Sequence, residues 1–233
     1  MNILALDTST DRAALAVATA AGSIHAATPD PTSRHGRNLV PAIGAALRAA
    51  GLAARDLDLI AVGLGPGSYT GLRVGLTAAK TLAYVAQVPL VGLDSLEAIA
   101  RNAPAEALRV SVIADAQRGD VYTADFRRSG PSGPLLRTSP TRIEPLARWS
   151  AHLSEPGSEP VYVLGPGLDR LRPELPGNAR AFAPGANWPD GRHLIGLARD
   201  AWDAGRRDDP WFLEPFYLRR SAAEDQWQGG GKP

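Results

Sequence analysis

Residues 62–84 read VGLGPGSYTGLRVGLTAAKTLAY, and this stretch predicts a strand, a glycine-rich loop and a helix in succession. The apolar run that ends at Val62 is short and β-branched, as in a buried strand. Three glycines and a proline follow within five residues and end it. Ser68 then occupies a helix N-cap position. A helix that starts after such a loop gathers backbone N–H groups, which can hold an anion or another backbone.

This loop resembles two catalytic motifs without completing either. A Walker phosphate loop closes on Gly-Lys-Ser/Thr, whereas Lys80 lies well inside the predicted helix. A nucleophile elbow places glycines two residues either side of its serine, whereas Ser68 has Pro66 and Thr70 at those positions. From the loop alone, a binding role and a tight turn that packs the helix close to its strand are equally open.

The composition is that of an ordinary globular protein, with 44% hydrophobic and 21% charged residues in a chain of 233. The absence of cysteine excludes disulfides and thiolate metal sites. The four histidines show no metal-ligand spacing, so no metal site is predicted. No apolar run approaches the ~20 residues of a membrane span, and the first residues do not resemble a signal peptide. We therefore expect a cytoplasmic protein without membrane association.

The chain repeats a pattern, which predicts two similar lobes. An apolar strand ends on the polar turn that begins at Asp7, and the glycine-rich loop follows later. A second apolar strand ends on Asp115, and Gly165-Pro166-Gly167 then repeats the loop. Two features in the same order at similar separation predict an α/β protein with a duplicated unit. We expect lobes at residues 1–105 and 106–233, with the last segment packing back on the first lobe.

The turn after the first strand has two interpretations. It resembles the phosphate-binding hairpin of the actin, Hsp70 and sugar-kinase superfamily, in which an aspartate lies near a metal-bound phosphate. The simpler interpretation is that its polar side chains close the hairpin by hydrogen bonds to the backbone, and this one is favoured. Under the first interpretation, the candidate nucleotide-proximal residues are Asp7, Thr8, Ser9, Gly65, Gly67 and Ser68.

Two predicted helices, 37–50 and 71–87, carry more apolar surface than one sheet face can cover. In the second helix one apolar stripe contains Leu72, Leu76, Ala79 and Ala83. A further stripe lies roughly 135° around the same helix. Either the first helix covers this stripe or a partner does, and we expect a partner. The candidate interface comprises Leu39, Val40, Ile43, Leu47, Val74, Ala78, Thr81, Leu82 and Val85.

Five segments make the chain similar to the TsaB (YeaZ) family. They are ILALDTST at 3–10, residues 62–84, PLVGLDSLEAIA at 89–100, IADAQRGDVYTADF at 113–126 and PFYLRRSAAEDQW at 215–227. These segments span the chain, and GPGSYTGLRVG is highly specific, whereas residues 127–210 match only loosely. The chain departs from the family at His35-Gly36-Arg37, where the family usually has His-Ser-Glu.

The resemblance implies a two-lobed actin-like ATPase (ASKHA, ribonuclease H-like) fold with duplicated mixed sheets. It implies a non-catalytic partner subunit of the enzyme that makes threonylcarbamoyladenosine in tRNA. The implied partners are the catalytic subunit TsaD, the ATPase TsaE, and a second copy of the chain when TsaD is absent, with tRNA reached only through the complex. No cofactor of its own is implied, although ATP or ADP with Mg at the subunit junction is left open.

The sequence also leaves open a second function, of a different class from a partner subunit. The chain could be a standalone enzyme, either an ATPase of the actin-like fold or a peptidase. For a peptidase, the sequence offers Asp7, His35 and Ser68 as a possible hydrolytic trio, without the elbow that would expose the serine.

Overall fold

The computed structural model describes residues 1–29, 35–154, 159–171 and 174–219, with backbone only for 35–37. Two mixed β-sheets form two lobes in this part of the chain. The strands of the first lobe are β1 (Ile3–Asp7), β2 (Ala14–Ala18), β3 (Ile24–Ala27), β4 (Leu59–Gly63) and β5 (Leu90–Leu93). Its helices are α1 (His35–Ala49), α2 (Tyr69–Ala86), α3 (Ser95–Ala100) and a 3₁₀ turn at Ala54–Asp56.

The second lobe repeats this plan on a smaller scale. Its strands are β6 (Arg109–Asp115), β7 (Asp120–Arg127), β8 (Leu136–Arg137), β9 (Arg142–Pro145), β10 (Val161–Leu164) and β11 (Ala179–Ala181). Its helices are α4 (Leu146–Leu153), α5 (Pro166–Leu171) and a 3₁₀ turn at Pro184–Asn187. The final helix, α6 (Gly191–Asp203), follows the second lobe in sequence but packs on the first sheet.

The strand orders of the two sheets correspond. The first sheet runs β3-β2-β1-β4-β5, and the second runs β8-β7-β6-β10-β11, with β9 also paired to β7. In each sheet the first strand is antiparallel to the next strand of the chain and parallel to the strand that precedes the glycine loop. This equivalence confirms the duplicated α/β fold that the repeated sequence pattern predicts.

Apolar packing on both faces explains why β1, β2, β4 and β5 of the first sheet are buried throughout. α1 and α2 cover one face with a cluster that includes Leu39, Ile43 and Leu76. α6 covers the opposite face through Leu194 and Ile195. Because both faces are buried, β1 and β4 read as continuous apolar runs rather than as an alternating pattern.

The part of the second lobe between Asp115 and Gly165 differs from the sequence prediction. We predict loop for 129–159 with one helix at 144–152. The structure contains α4 close to that position and also the short strands β8 and β9. A strand of two to four residues is too short to show a hydrophobic period, so pairing with β7 decides its conformation.

Ion pairs join the lobes along α3. Asp94, the N-cap of α3, lies 2.8 Å from Arg137 of β8. Arg101, at the other end of α3, lies 2.6 Å from Asp200 of α6. The Arg137 guanidinium also stacks over Phe126, 4.8 Å from its ring centre. α3 therefore fixes the second lobe and α6 relative to the first sheet.

Candidate functional site

A cleft of about 830 Å³ lies between the lobes. Its walls are the turns that follow β1, β4, β6 and β10, so the equivalent turns of the two lobes face one another. In an open α/β sheet, ligands bind beyond the carboxyl ends of the strands, which is where these turns lie. The cleft is thus the candidate functional site that the topology indicates.

Asp7, the first predicted site residue, is directed into the protein rather than into the cleft. It is fully buried, and its carboxylate accepts a hydrogen bond from the Ser9 N–H at 2.7 Å. The Ser95 hydroxyl donates to the other carboxylate oxygen at 2.5 Å. Burial raises the pKa of Asp7 above its ordinary value. The simpler interpretation of the turn is confirmed for Asp7, which closes the hairpin and ties it to α3.

Three N–H groups of the glycine loop and of the first turn of α2 have partners within the chain. The Ser68 N–H donates to the Ser9 carbonyl at 2.7 Å. The Gly71 N–H donates to the Ser68 side chain at 3.2 Å, which confirms Ser68 as the N-cap of α2. The Gly65 N–H donates to the Ser95 hydroxyl at 3.0 Å. These donors cannot bind an anion unless the bonds within the chain break.

Glycines on one side of α2 let the first turn pack directly on the helix. A Cβ at Gly67 would lie 2.2 Å from the Ser9 carbonyl oxygen, and one at Gly71 would lie 2.1 Å from that of Thr8. The Thr8 hydroxyl donates to the Gly71 carbonyl at 2.7 Å. The backbone of the turn thus occupies the space beside the helix N-terminus. The side of the helix that packs on the turn therefore has no room for nucleotide phosphates.

The second wall of the cleft has a different construction. Asp115 accepts a hydrogen bond from the Gln117 N–H at 2.6 Å and pairs with Arg170 at 2.7 Å. Gln117, Arg118 and Gly119 have positive φ values of 64°, 57° and 83°. Two consecutive non-glycine residues in the left-handed region are a strained arrangement, of the kind that functional sites retain. Propensity rules predict a turn here but not its left-handed residues.

A segment after α6 crosses the rim of the cleft. Its Asp208 N–H donates to the Leu90 carbonyl at 2.9 Å, and its Phe216 N–H donates to that of Leu64 at 2.8 Å. Tyr217 packs on Tyr69 with ring centres 5.1 Å apart. The Arg219 side chain then reaches the second lobe, where it binds Asp120 and the Gln117 carbonyl. This apolar segment thus contacts both lobes, although Trp211 and Phe212 on its outer side are exposed.

The predicted interface residues separate into two groups. Leu39, Ile43 and Leu47 are buried in the core that joins α1 to α2, so their side chains pack within the chain. Val40, Thr81 and Val85 are exposed. The remaining three, Val74, Ala78 and Leu82, are half-buried against the core. α1 therefore covers part of the second stripe, and the outer part follows Val74, Ala78, Thr81 and Val85 at i, i+4, i+7 and i+11.

Two further expectations concern metals and membranes. Within the described ranges, no three His, Asp or Glu side chains are grouped so that they could hold a metal ion. In the same ranges, no helix has the length and apolar character needed to cross a membrane. The His35 side chain and the end of the 215–227 segment lie outside the described residues.

Comparison with known proteins links the chain to tRNA modification. The family model of TsaD, tRNA N6-adenosine threonylcarbamoyltransferase, matches residues 23–133. The tRNA threonylcarbamoyladenosine biosynthesis protein TsaB of Bacillus subtilis is 32% identical, with 97% of this chain and 98% of that protein covered. TsaB of Haemophilus influenzae is 34% identical, with 94% of each covered.

A solved structure shows the same relationship in three dimensions. YeaZ from Pseudomonas aeruginosa superimposes with a TM-score of 0.78 at 27% identity, and the match covers 93% of this chain and 99% of that one. The sequence relatives and this structure cover both lobes nearly end to end. The chain belongs to the TsaB (YeaZ) family.

Proposed function

We propose that the chain is the non-catalytic partner subunit of the tRNA threonylcarbamoyladenosine synthase, and that it binds and activates the catalytic subunit TsaD. The observation that carries the proposal is its full-length relationship to proteins named for threonylcarbamoyladenosine biosynthesis. The fit to a TsaD family model over residues 23–133 adds that this part of the chain, which includes most of the first lobe, resembles its proposed partner. Two related lobes can associate through equivalent faces, as homologous subunits commonly do.

The outer stripe of α2 supports a protein-binding role. Its exposed members, Thr81 and Val85, continue the line of half-buried Val74 and Ala78. Small and β-branched side chains in one row let another helix approach closely. Val40 on α1 adds a further exposed apolar side chain. We assign this stripe to TsaD, or to a second copy of the chain when TsaD is absent.

The glycine loop supports a role without nucleotide turnover in this chain. Three of the N–H groups there, those of Gly65, Ser68 and Gly71, already donate to groups of the chain itself. An ATPase of the actin-like fold needs such donors for phosphate. We therefore assign any ATP, ADP or Mg²⁺ of the complex to the other subunits, which include TsaE. On this proposal the protein works in the cytoplasm and meets tRNA only through the complex.

The test is co-purification of tagged TsaD with variants of this chain. We expect Val85→Arg to abolish co-purification and self-association, because a charged side chain would be buried in an apolar helix contact. Val85 is 72% exposed, so the monomer should fold normally. Ala78 is half-buried, and its replacement would also disturb packing within the chain.

Tyr84→Arg serves as the matched control. Tyr84 is 67% exposed in the same turn of α2 but lies about 100° away around the helix axis. This variant should retain TsaD at wild-type stoichiometry. Retention of TsaD by Val85→Arg, or equal loss in both variants, would contradict the assigned stripe.

A further inference from the structure

We infer that residues 206–219 form a strap whose tip, residues 217–219, is a releasable latch between the two lobes. The strap is fixed to the first lobe, crosses the rim of the cleft and binds the second lobe through the Arg219 side chain. Release of the tip lets the lobes separate and widens the cleft. This inference concerns the spacing of the lobes, so it goes beyond the proposed role of partner subunit and does not depend on it.

The first part of the strap is held firmly on the first sheet. The Asp208 N–H donates to the Leu90 carbonyl at 2.9 Å, and the Asp208 carboxylate accepts the Gly92 N–H at 2.7 Å. The Arg206 side chain donates to the Gly92 carbonyl. Leu213 packs on the apolar cluster beneath α1 and α2. Hydrogen bonds to β5 and apolar packing together therefore fix residues 206–213 to the first lobe.

The tip of the strap has much less apolar contact. Phe216, Tyr217 and Leu218 are between 41% and 43% exposed. Tyr217 packs on Tyr69, which is itself 40% exposed. A segment that buries little apolar surface opens at a lower free-energy cost than one packed into the core. The tip should therefore detach while residues 206–213 stay in place.

Arg219 supplies a specific but reversible contact with the second lobe. Its guanidinium donates to two groups of the β6–β7 turn, the Asp120 carboxylate and the Gln117 carbonyl, the latter at 3.2 Å. The Gln117 carbonyl also accepts the Asp120 N–H at 3.1 Å, so the arginine binds the turn in its folded, left-handed form. The side chains of Arg219 and Asp120 are 22% and 28% exposed. Two acceptors in fixed geometry make the contact specific, and access of water makes it weak enough to break.

The connection along α3 has a different construction. Leu96 and Ile99 of α3 are buried in one apolar cluster with Val110 and Phe126 of the second lobe. Separating these side chains would expose apolar surface to water, which is unfavourable. Release of Arg219 breaks polar contacts and exposes little apolar surface. The lobes therefore share a permanent connection at α3, about which they can move, and the strap adds a releasable one.

The first test is ¹⁵N relaxation of the backbone in the full-length protein. In the wild type, residues 217–219 should have order parameters near those of α6, about 0.85. In Arg219→Ala they should fall below about 0.6, and residues 208–213 should be unchanged. Asp120→Asn should give the same result, because it removes the charge that holds the guanidinium.

Arg207→Ala is the matched control. Arg207 lies in the fixed part of the strap, where its guanidinium stacks 3.3 Å from the centre of the Trp202 ring and donates to the Trp202 carbonyl at 3.3 Å. The substitution removes the same type of side chain from the same segment. The order parameters of residues 217–219 should remain those of the wild type.

The second test measures the distance between the lobes by pulsed electron paramagnetic resonance. The chain contains no cysteine, so spin labels can be placed at Ala49→Cys in α1 and Ala151→Cys in α4, both of which are exposed. The distance distribution should broaden toward longer distances in Arg219→Ala and in Asp120→Asn, and not in Arg207→Ala. The variant with both substitutions should broaden no further than either alone, because both remove one contact.

Three outcomes would overturn the inference. They are wild-type order at residues 217–219 in both latch variants, wild-type lobe distances in both, and equal effects in Arg207→Ala. Loss of order at residues 208–213 together with the tip would also contradict it, since the strap would then leave as one unit. Circular dichroism checks that each variant folds. Asp120→Asn conserves side-chain size and keeps the test decisive if Arg219→Ala does not fold.

Discussion

The two lobes contain the same strand, turn and glycine-loop arrangement, but they use it differently. In the first lobe the turn after β1 folds onto the N-terminus of α2, where the Ser9 carbonyl accepts the Ser68 N–H at 2.7 Å. In the second lobe the turn after β6 stands at the cleft, and Asp115 pairs with the mostly exposed Arg170. α2 has 18 residues, whereas α5 has six.

This difference shows that the same motif can pack against its own helix in one lobe and lie at the surface of the cleft in the other. In the first lobe, Gly67 admits the backbone of the turn itself. In the second lobe, Gly165 and Gly167 approach the strand residue Ile113 instead. The first copy therefore packs its turn against the N-terminus of α2, and the second supplies a polar wall to the cleft.

The largest expected effect comes from the glycines that distinguish the copies. Gly67→Ala should destabilise the protein by about 3 kcal/mol, because its Cβ would meet a backbone oxygen that cannot move away easily. Gly167→Ala should cost about 1 kcal/mol, since its nearest atoms lie 3.0 Å away. Urea unfolding gives both values.

Gly44→Ala in α1 is the control for this pair. The nearest atom to its Cβ would be the end of the flexible Arg48 side chain, at 3.3 Å. Alanine is more favourable than glycine inside a helix, so this variant should be as stable as the wild type or up to about 1 kcal/mol more stable. Equal losses in Gly67→Ala and Gly167→Ala would show that the two loops are equivalent after all.

Replacing the two equivalent aspartates, Asp7 and Asp115, should change the stability of the protein by smaller amounts. Asp7→Ala leaves the buried Ser9 N–H and Ser95 hydroxyl without an acceptor and should cost about 2 kcal/mol. Asp115→Ala removes a pair whose arginine is 72% exposed and should cost less than about 1 kcal/mol. Thermal and urea unfolding measure both, and a larger loss for Asp115→Ala would contradict the structural role of Asp7.

The smallest effect is a pH dependence due to Asp7. Burial raises the pKa of its carboxyl group in the folded protein, so the folded state binds this proton more tightly than the unfolded state. The contribution to stability is greatest below about pH 4 and falls as the pH rises through the folded-state pKa. The stability of Asp7→Asn should not show this decrease with rising pH.

Urea unfolding of the two proteins between pH 4 and 8 checks this prediction. The free energy of unfolding of Asp7→Asn, relative to the wild type, should increase with pH and then level off. A difference that is independent of pH would mean that Asp7 titrates alike in the folded and unfolded protein.

Much of the fold could be predicted because it depends on local chemistry. The helix after the loop, its Ser68 cap and the buried stripe that includes Leu72 and Leu76 follow from spacing and capping rules. The duplication followed from repeated motifs. The strands β8 and β9 could not be predicted, since pairing with β7 alone defines them.

The candidate site was predicted less completely. Asp7, Ser9 and Ser68 were predicted as nucleotide-proximal residues. The burial of Asp7 and Ser9, and the hydrogen bond that joins the turn to Ser68, depend on the packing of the turn against α2. Tyr122 and Trp188 carry no motif. Only the juxtaposition of the two lobes brings them to one cleft.

The sequence by itself determined the fold class, the family and the position of the loop, because those depend on hydrophobic period, turn residues and a specific motif. The tertiary structure decided what the loop does. A glycine permits a close approach, but only the packed chain shows that the approaching group is the Thr8 and Ser9 backbone rather than an anion. The reason is physical: a backbone N–H binds whichever acceptor folding brings to it.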